Sequence, residues 1–350
     1  MNESGSRVET DCRSRVSGKS VTLAFLGDVM LGGDVSLTLR LHEPEWFWGD
    51  VLPIVQQADG VFANLEGPIT ESKERWKGGW KMYHFRATPA AVRILQCAGV
   101  RFVCLANNHM LDFSETGLLD TMAVLDRADI SYAGAGRDLS EASAPRLLRL
   151  PGMTVGLIAA TDTMRGFAAG HDRPGTHVVR FSDDAATMAW IDRSMCEMRS
   201  RGADFFVLTL HWGPNMRTKP PQRFRRFAHA AIERGVSVIH GHSAHVVQAV
   251  ERYRNGVILY DTGNCIDDYW KFPFRDTTSS FVFLLDIEDQ QPRRLRMVPV
   301  RQDSVRLGLA TGKSKDQIKQ RMMSICSDLG TAVLATAEGL ELPLRATGQN

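Results

Sequence analysis

Long hydrophobic runs are missing from this 350-residue sequence. No apolar stretch approaches the roughly 18 residues that cross a bilayer, so no spanning helix is expected. The opening "MNESGSRVETDCRSRVSGKS" is polar and rich in Ser and Arg. Without an apolar core it is unlike a secretory signal or a membrane anchor. A charge of one sign is missing too: 42 Lys and Arg face 40 Asp and Glu, a formal net charge of +2. Nothing global therefore calls for nucleic acid or an anionic membrane as partner. Cysteine is sparse and unpatterned. The six, at 12, 97, 104, 196, 265 and 326, show no CxxC or CxxxC spacing, which argues against a disulfide framework and fits a reducing cytoplasm. No P-loop (GxxxxGK[ST]) or other nucleotide motif stands out, so ligation would need an activated substrate or a partner.

What is there is an alternation of short apolar runs and amphipathic stretches. "VTLAFLG" (21–27), "GVFAN" (60–64), "RFVCLA" (101–106), "TVGLIAA" (154–160), "DFFVLTL" (204–210), "VSVIHG" (236–241) and "GVILYD" (256–261) read as buried strands. Residues 88–99, 114–129, 183–202 and 220–235 read as helices. Ser114 can cap one start, Pro220 and Pro221 suit a first turn, and Gly99, Gly202 and Gly235 stand where helices stop. Strand–helix alternation implies α/β layering. Later, 279–287 and 293–300 flank a short "EDQQP" turn and read as an antiparallel pair. The expected organisation is a flexible tail (1–20), one α/β domain (21–303) and a helical C-terminal extension (304–350).

The chemistry gathers after the strands. Asp28 follows the first, Asn64 and Glu66 the second, and Asn107, Asn108, His109 and Asp112 the third. His211 follows a later one, and "VIHGHSAHVVQ" then brings His240, His242 and His245. Ligands of α/β sheets collect outside the carboxyl ends of strands. Singly, each residue has a plainer reading: Asp28 as a turn residue, "NNH" as a left-handed turn, His211 as a structural imidazole. Taken together, carboxylates, an amide and imidazoles without a thiolate suit Mn²⁺, Fe²⁺ or Zn²⁺. Two ions sharing a carboxylate would acidify a bridging water and clamp a phosphoryl or carbonyl oxygen. Nothing near His42, His84, His171, His177 or His229 completes a site.

The ordered motifs "GDVML", "NLEGPIT", "YHFRA", "LANNHMLD", "LHWG" and "GHSAHVVQ" resemble those of the CapA-type poly-γ-glutamate (capsule) synthesis proteins, a family of the calcineurin-like metallophosphatase superfamily. The resemblance spans roughly residues 21 to 270. It implies a four-layer α/β/β/α sandwich holding one or two divalent ions (Mn, Fe or Zn). By position it implies metal ligands at Asp28, Glu66 (as the bridging carboxylate), Asn108, His211, His242 and His245. It also implies His109 as the acid for the leaving group, with Asp112 orienting it. Asn64, Arg86 and Arg217 are expected at the substrate, and Lys219 and Arg223 lie close to Arg217 in sequence. The sequence departs from the superfamily at Met30, where a histidine is usual, and in the two residues separating His242 from His245. Proteins of the family are generally tethered outside the membrane, whereas this start shows no export signal.

The reading that follows is a cytoplasmic metal-dependent hydrolase. A metal-bound hydroxide would attack a phosphoester or γ-glutamyl-type amide of a small anionic substrate, with His109 as general acid. The alternatives are an accessory component with a degenerate metal site, or an amide-forming enzyme of polymer or small-molecule biosynthesis. His240 reads as the last side chain of a buried strand or as support for the ligands.

Overall fold

The first strand, β1 (Val21–Val29), shows why these runs lack a polar face. Leu23 and Phe25 enter a core between two sheets, while Ala24 and Leu26 pack under helices on the other side. Successive side chains alternate, and a strand covered on both faces reads as a continuous apolar run. The computed structural model describes residues 20–269 and 275–344. The expected tail at 1–20 therefore lies almost wholly outside the described residues.

After β1 come β2 (Gly60–Leu65), β3 (Val100–Cys104), β4 (Ser131–Ala133), β5 (Ala135–Gly136) and β6 (Arg146–Leu150). The chain continues through β7 (Met153–Thr161), β8 (Gly175–Thr176), β9 (Phe205–His211), β10 (Val238–His242), β11 (Val250–Tyr253) and β12 (Gly256–Leu259). It ends with β13 (Asn264–Ile266), β14 (Ser279–Glu288), β15 (Gln291–Asp303), β16 (Arg306–Leu309), β17 (Leu334–Ala335) and β18 (Leu340–Pro343). The larger sheet has the order β17-β18-β15-β14-β1-β2-β3-β4, with β13 beside β1 and β16 beside β15. The smaller runs β11-β12-β10-β9-β7-β6. Neighbours β1–β2–β3–β4 are parallel, as are β7–β9–β10–β12.

Three apolar cores separate four layers. Ile94, Leu95, Leu118 and Leu125, on the helices Val92–Cys97 and Ser114–Arg127, cover the outer face of the larger sheet. Phe25, Phe62 and Phe102 meet Leu157, Val207 and Val238 between the sheets. Ile191, Met195, Phe227 and Ala231, on Ala185–Ser200 and Gln222–Glu233, cover the smaller sheet. This is the α/β/β/α sandwich expected.

Two local readings change. Ser114 does not cap its helix: it is the first helical residue, with φ 60°, and its hydroxyl donates to the Glu74 carbonyl at 3.2 Å. The C-terminal segment is also not simply a helical extension. Helix Gly312–Ser327 is there, but β16 and β18 pair with β15 and widen the larger sheet. Ile318, Met322 and Cys326 of the helix enter the core between the sheets. Strands of four residues are too short to show a period in sequence. Among the described residues, no helix is long and apolar enough to cross a membrane.

Candidate metal centre

Register sets the first contacts. Asp28 lies opposite Asn64 on β2 and Asn264 on β13, and His242 lies opposite His211 across β9 and β10. The amide of Asp28 donates to the Gly263 carbonyl at 2.9 Å. That approach requires glycine at 27, because a Cβ there would stand 1.9 Å from the Gly263 oxygen. After β10 the chain turns sharply through Ser243 (φ 111°) and His245 (φ 58°). Asp261 pins this turn, accepting from the amides of Ala244 at 2.7 Å and Gly263 at 2.8 Å. The two residues between the histidines are thus absorbed in a strained turn that returns His245 to the cluster.

The side chains converge tightly. His211 and His242 bring their Nδ1 atoms to 2.9 Å, and His245 Nδ1 lies 3.1 Å from Asp28 Oδ2. Glu66 Oε1 is 3.9 Å from the Nε2 of His109 and of His211, and 4.0 Å from that of His245. Two sets of ligand atoms each fall within 4.8 Å: Asp28 with His211 and His242, and Asp28 with Glu66 and His245. Asp28 is common to both sets, and Glu66, the expected bridge, lies within 4.0 Å of an imidazole from each. Met30 turns its sulfur to the Gly32 amide at 3.0 Å and so replaces the usual histidine without taking its role.

The charges in this cluster are unbalanced. Burial, and then the charge of Asp28, push Glu66 well above the usual carboxylate range. Burial would also raise Asp28, but the hydrogen bond from His245 and the surrounding imidazoles hold it below its ordinary value. Burial pulls His211 down to about 3 and His242 well below its normal range. Burial also works against charge on His245, yet Glu66 and Asp28 outweigh it and raise the imidazole to about 10. Among the described residues, both oxygens of Glu66 and the Oδ1 of Asn108 are buried without a hydrogen-bond partner. Leaving such groups bare costs several kcal/mol each. The residues fit a divalent ion: nitrogen and oxygen donors, no thiolate, and buried acceptor oxygens left without a hydrogen-bond partner among the described residues.

His109 stands beside this cluster under tight control. Its Nδ1 is 2.7 Å from Asp112 Oδ2 and 2.9 Å from Lys81 Nζ, and Lys81 in turn reaches Asp112 Oδ1 at 2.8 Å. Asp112 also accepts the Phe85 amide at 2.7 Å, and the Phe85 ring lies 4.2 Å from the imidazole. Burial lowers His109 to about 4, so the ring is neutral at pH 7. Lys81 was not foreseen; its only signal was its place just before "YHFRA". Asp261 was missed as well, since "GVILYD" read only as the end of a strand.

Similarity to known proteins places the chain in a family. The family described as "Bacterial capsule synthesis protein PGA_cap" matches residues 22–269. The chain belongs to this family. It is 30% identical over 313 residues to a "Probable polyglutamine synthesis accessory protein" of Mycobacterium tuberculosis, covering 84% of this chain and 80% of that one. It is 28% identical over 314 residues to the "PGA biosynthesis protein CapA" of Bacillus subtilis, covering 86% and 79%. A crystal structure described as a novel phosphatase from Mycoplasma pneumoniae matches with a TM-score of 0.50 at 13% identity, over 82% of this chain and 95% of that one. At that identity the likeness is one of fold.

The expected substrate contacts of this family member fall elsewhere. Arg86 gives its Nη1 to the carbonyls of Glu71 (3.1 Å) and Ser72 (2.6 Å) and lies over the Phe113 ring, so it clamps a loop. Asn64 is fully buried; it donates to Asp28 Oδ1 at 2.8 Å and accepts from Asn107 at 3.1 Å, which makes it part of the frame around the ligands. Arg217 is exposed and does not line the cleft, while nearby Lys219 and Arg223 pair with Asp328 and Asp162. The cleft itself, about 300 Å³, is bounded by Tyr83, Phe85, His109, His245, Asp268 and Tyr269, among others. His240 is structural: its Nε2 donates to the Leu26 carbonyl at 2.8 Å, tying the two sheets together. His229 pairs with Glu251 at 3.0 Å and His177 with the Ala159 carbonyl at 3.0 Å.

Proposed function

We propose that this chain is a metal-dependent hydrolase acting on a phosphoester or γ-glutamyl-type amide. The observation that carries this reading is the unpartnered Glu66 carboxylate among Asp28, His211, His242 and His245, opening on a cleft through His109 and His245. Asp28, Glu66, Asn108, His211, His242 and His245 would hold one or two of Mn, Fe or Zn, which supply Lewis-acid charge and an acidified water.

The protein's own part centres on His109. Its Nδ1 faces an acceptor, Asp112, and a donor, Lys81, at similar distances. With Nδ1–H given to Asp112, Nε2 is a free acceptor. With Lys81 donating to Nδ1, the ring proton sits on Nε2, facing Glu66 and the cleft. In that second state His109 can give its Nε2 proton to the leaving group as Lys81 passes a proton to Nδ1, so the ring ends as a neutral imidazole and Lys81 as a neutral amine. Asp112, Lys81 and Phe85 hold the ring in place for this.

A second reading, an accessory or amide-forming component of polymer or small-molecule biosynthesis, is favoured by one observation: Met30 leaves the Asp28 side one imidazole short. Turnover separates the two. The metal-loaded chain should hydrolyse an aryl phosphoester or a γ-glutamyl anilide, and Asn108→Ala and His109→Ala should each lose that activity. Full activity in both variants, or none in the wild type with its metal bound, sinks the hydrolase reading.

A further inference from the structure

Tyr269 lines the cleft at the metal centre and has no part in the chemistry described so far. The Tyr260 hydroxyl, buried under the helices of the smaller sheet, donates to Glu251 at 2.6 Å. The Tyr269 hydroxyl is buried too, and among the described residues it has no hydrogen-bond partner. An unmet buried donor on a cleft wall is costly unless an occupant of the cleft accepts from it. We propose that Tyr269 gives a hydrogen bond to the substrate oxygen that gains negative charge during hydrolysis. This rests on the hydrolase reading above and adds a contact to it.

The surroundings suit a fixed donor. The Tyr269 amide donates to Asp267 Oδ1 at 2.8 Å, and the neighbouring Asp268 accepts the Asp34 amide at 2.7 Å. Gln302 Nε2 donates to the Asp267 carbonyl, so the backbone that carries the phenol is tied at successive residues. The Tyr269 ring packs edge-on with His245 at 5.0 Å and lies 5.1 Å from Phe85, whose ring touches His109. One aromatic wall thus runs from the proposed acid to a proposed metal ligand, and Tyr269 forms its His245 end. Burial, and then the charges of Glu66 and Asp28, push the phenol well above its ordinary range. A phenol is protonated at neutral pH and donates one hydrogen bond. His109 and Tyr269 therefore divide the work. The imidazole gives a proton to the leaving atom, whereas the phenol keeps its proton and only donates to the oxygen that remains. A donor already held in place needs no reorganisation as that charge develops, which is where such contacts gain their effect.

Tyr269→Phe in the metal-loaded full chain tests this, because it keeps the ring and removes only the hydroxyl. With the aryl phosphoester and the γ-glutamyl anilide, kcat should fall about 10²-fold while KM stays within about twofold. Metal content should match wild type, which also reports that the variant is folded. Orthovanadate, an oxyanion whose binding needs no turnover, should bind about tenfold more weakly, the value of one charge-assisted hydrogen bond. Unchanged kcat in the variant overturns the inference and leaves the hydrolase reading standing. Loss of metal overturns it as well, by making the hydroxyl a support of the ligands. If wild type holds its metal yet hydrolyses neither substrate, the hydrolase reading falls and vanadate alone decides about Tyr269. Weaker binding in the variant then keeps the hydroxyl at an oxyanion, and equal binding removes it.

Discussion

His240 and His242 sit two residues apart on β10, both fully buried, and differ in what surrounds them. His240 gives its Nε2 proton to the Leu26 carbonyl at 2.8 Å and packs against the edge of Phe25. Burial lowers it to about 4, and the neutral ring is satisfied. His242 meets His211 at 2.9 Å and faces Asp28 at 3.9 Å, in a cluster where neither Glu66 oxygen has a hydrogen-bond partner among the described residues. Burial is common to both. The difference lies in unmet acceptors, which mark one histidine as part of the sandwich and support the proposal that the other belongs to a site for a cation.

Variants can break this comparison from either side, and the largest effect should come from Asp28→Asn. It removes the charge shared by both ligand sets, so bound metal and turnover should both vanish. Elemental analysis would show a loss beyond the roughly 10–100-fold that outer partners contribute. His109→Ala should retain the metal and lower kcat by roughly 10²–10⁴, the usual range for a general acid. Retained kcat would remove it from the chemistry.

Lys81→Met should act more gently, lowering kcat by about tenfold with KM and metal content unchanged. It should also shift the pH profile, which a purely structural lysine would not do. His240→Gln should lower stability by about 1–2 kcal/mol in denaturant melts and leave metal content untouched. Loss of metal in that variant would erase the distinction drawn between the two histidines.

The most gradual effect is one of pH. His177 is held at about 4 by burial, below its ordinary value of 6.5. Its folded pKa is depressed, so the unfolded chain takes up the proton first as pH falls. Stability should therefore decline between pH 6.5 and about 4, by roughly 1.4 kcal/mol per unit at most. His177→Gln should flatten that part of the curve.

The four layers came from the family resemblance; the sequence pattern reached α/β layering because strands covered on both faces announce themselves as apolar runs. It reached the cluster because strand ends converge. Asp28, Glu66, Asn108, His211, His242 and His245 all lie on or just after such ends. Charge pattern was a poorer guide. Arg86 and Arg217 looked like anion contacts, yet one clamps carbonyls and the other faces solvent, because a guanidinium in a loop finds its partners only in three dimensions. Lys81 and Asp261 were illegible for the opposite reason. Each acts through one contact distant in sequence, Lys81 on Asp112 and Asp261 on the Ala244 amide. β16 and β18 were too short to carry a period, so the closing strands of the larger sheet passed for loop.

The claim underneath all of this is that the bare carboxylate of Glu66 and its neighbours are balanced by a divalent ion. Elemental analysis of the purified full chain, dialysed against metal-free buffer, measures it directly. The account predicts about one to two equivalents of Mn, Fe or Zn per chain, falling sharply in Asn108→Ala. Less than about half an equivalent in the wild type would contradict it.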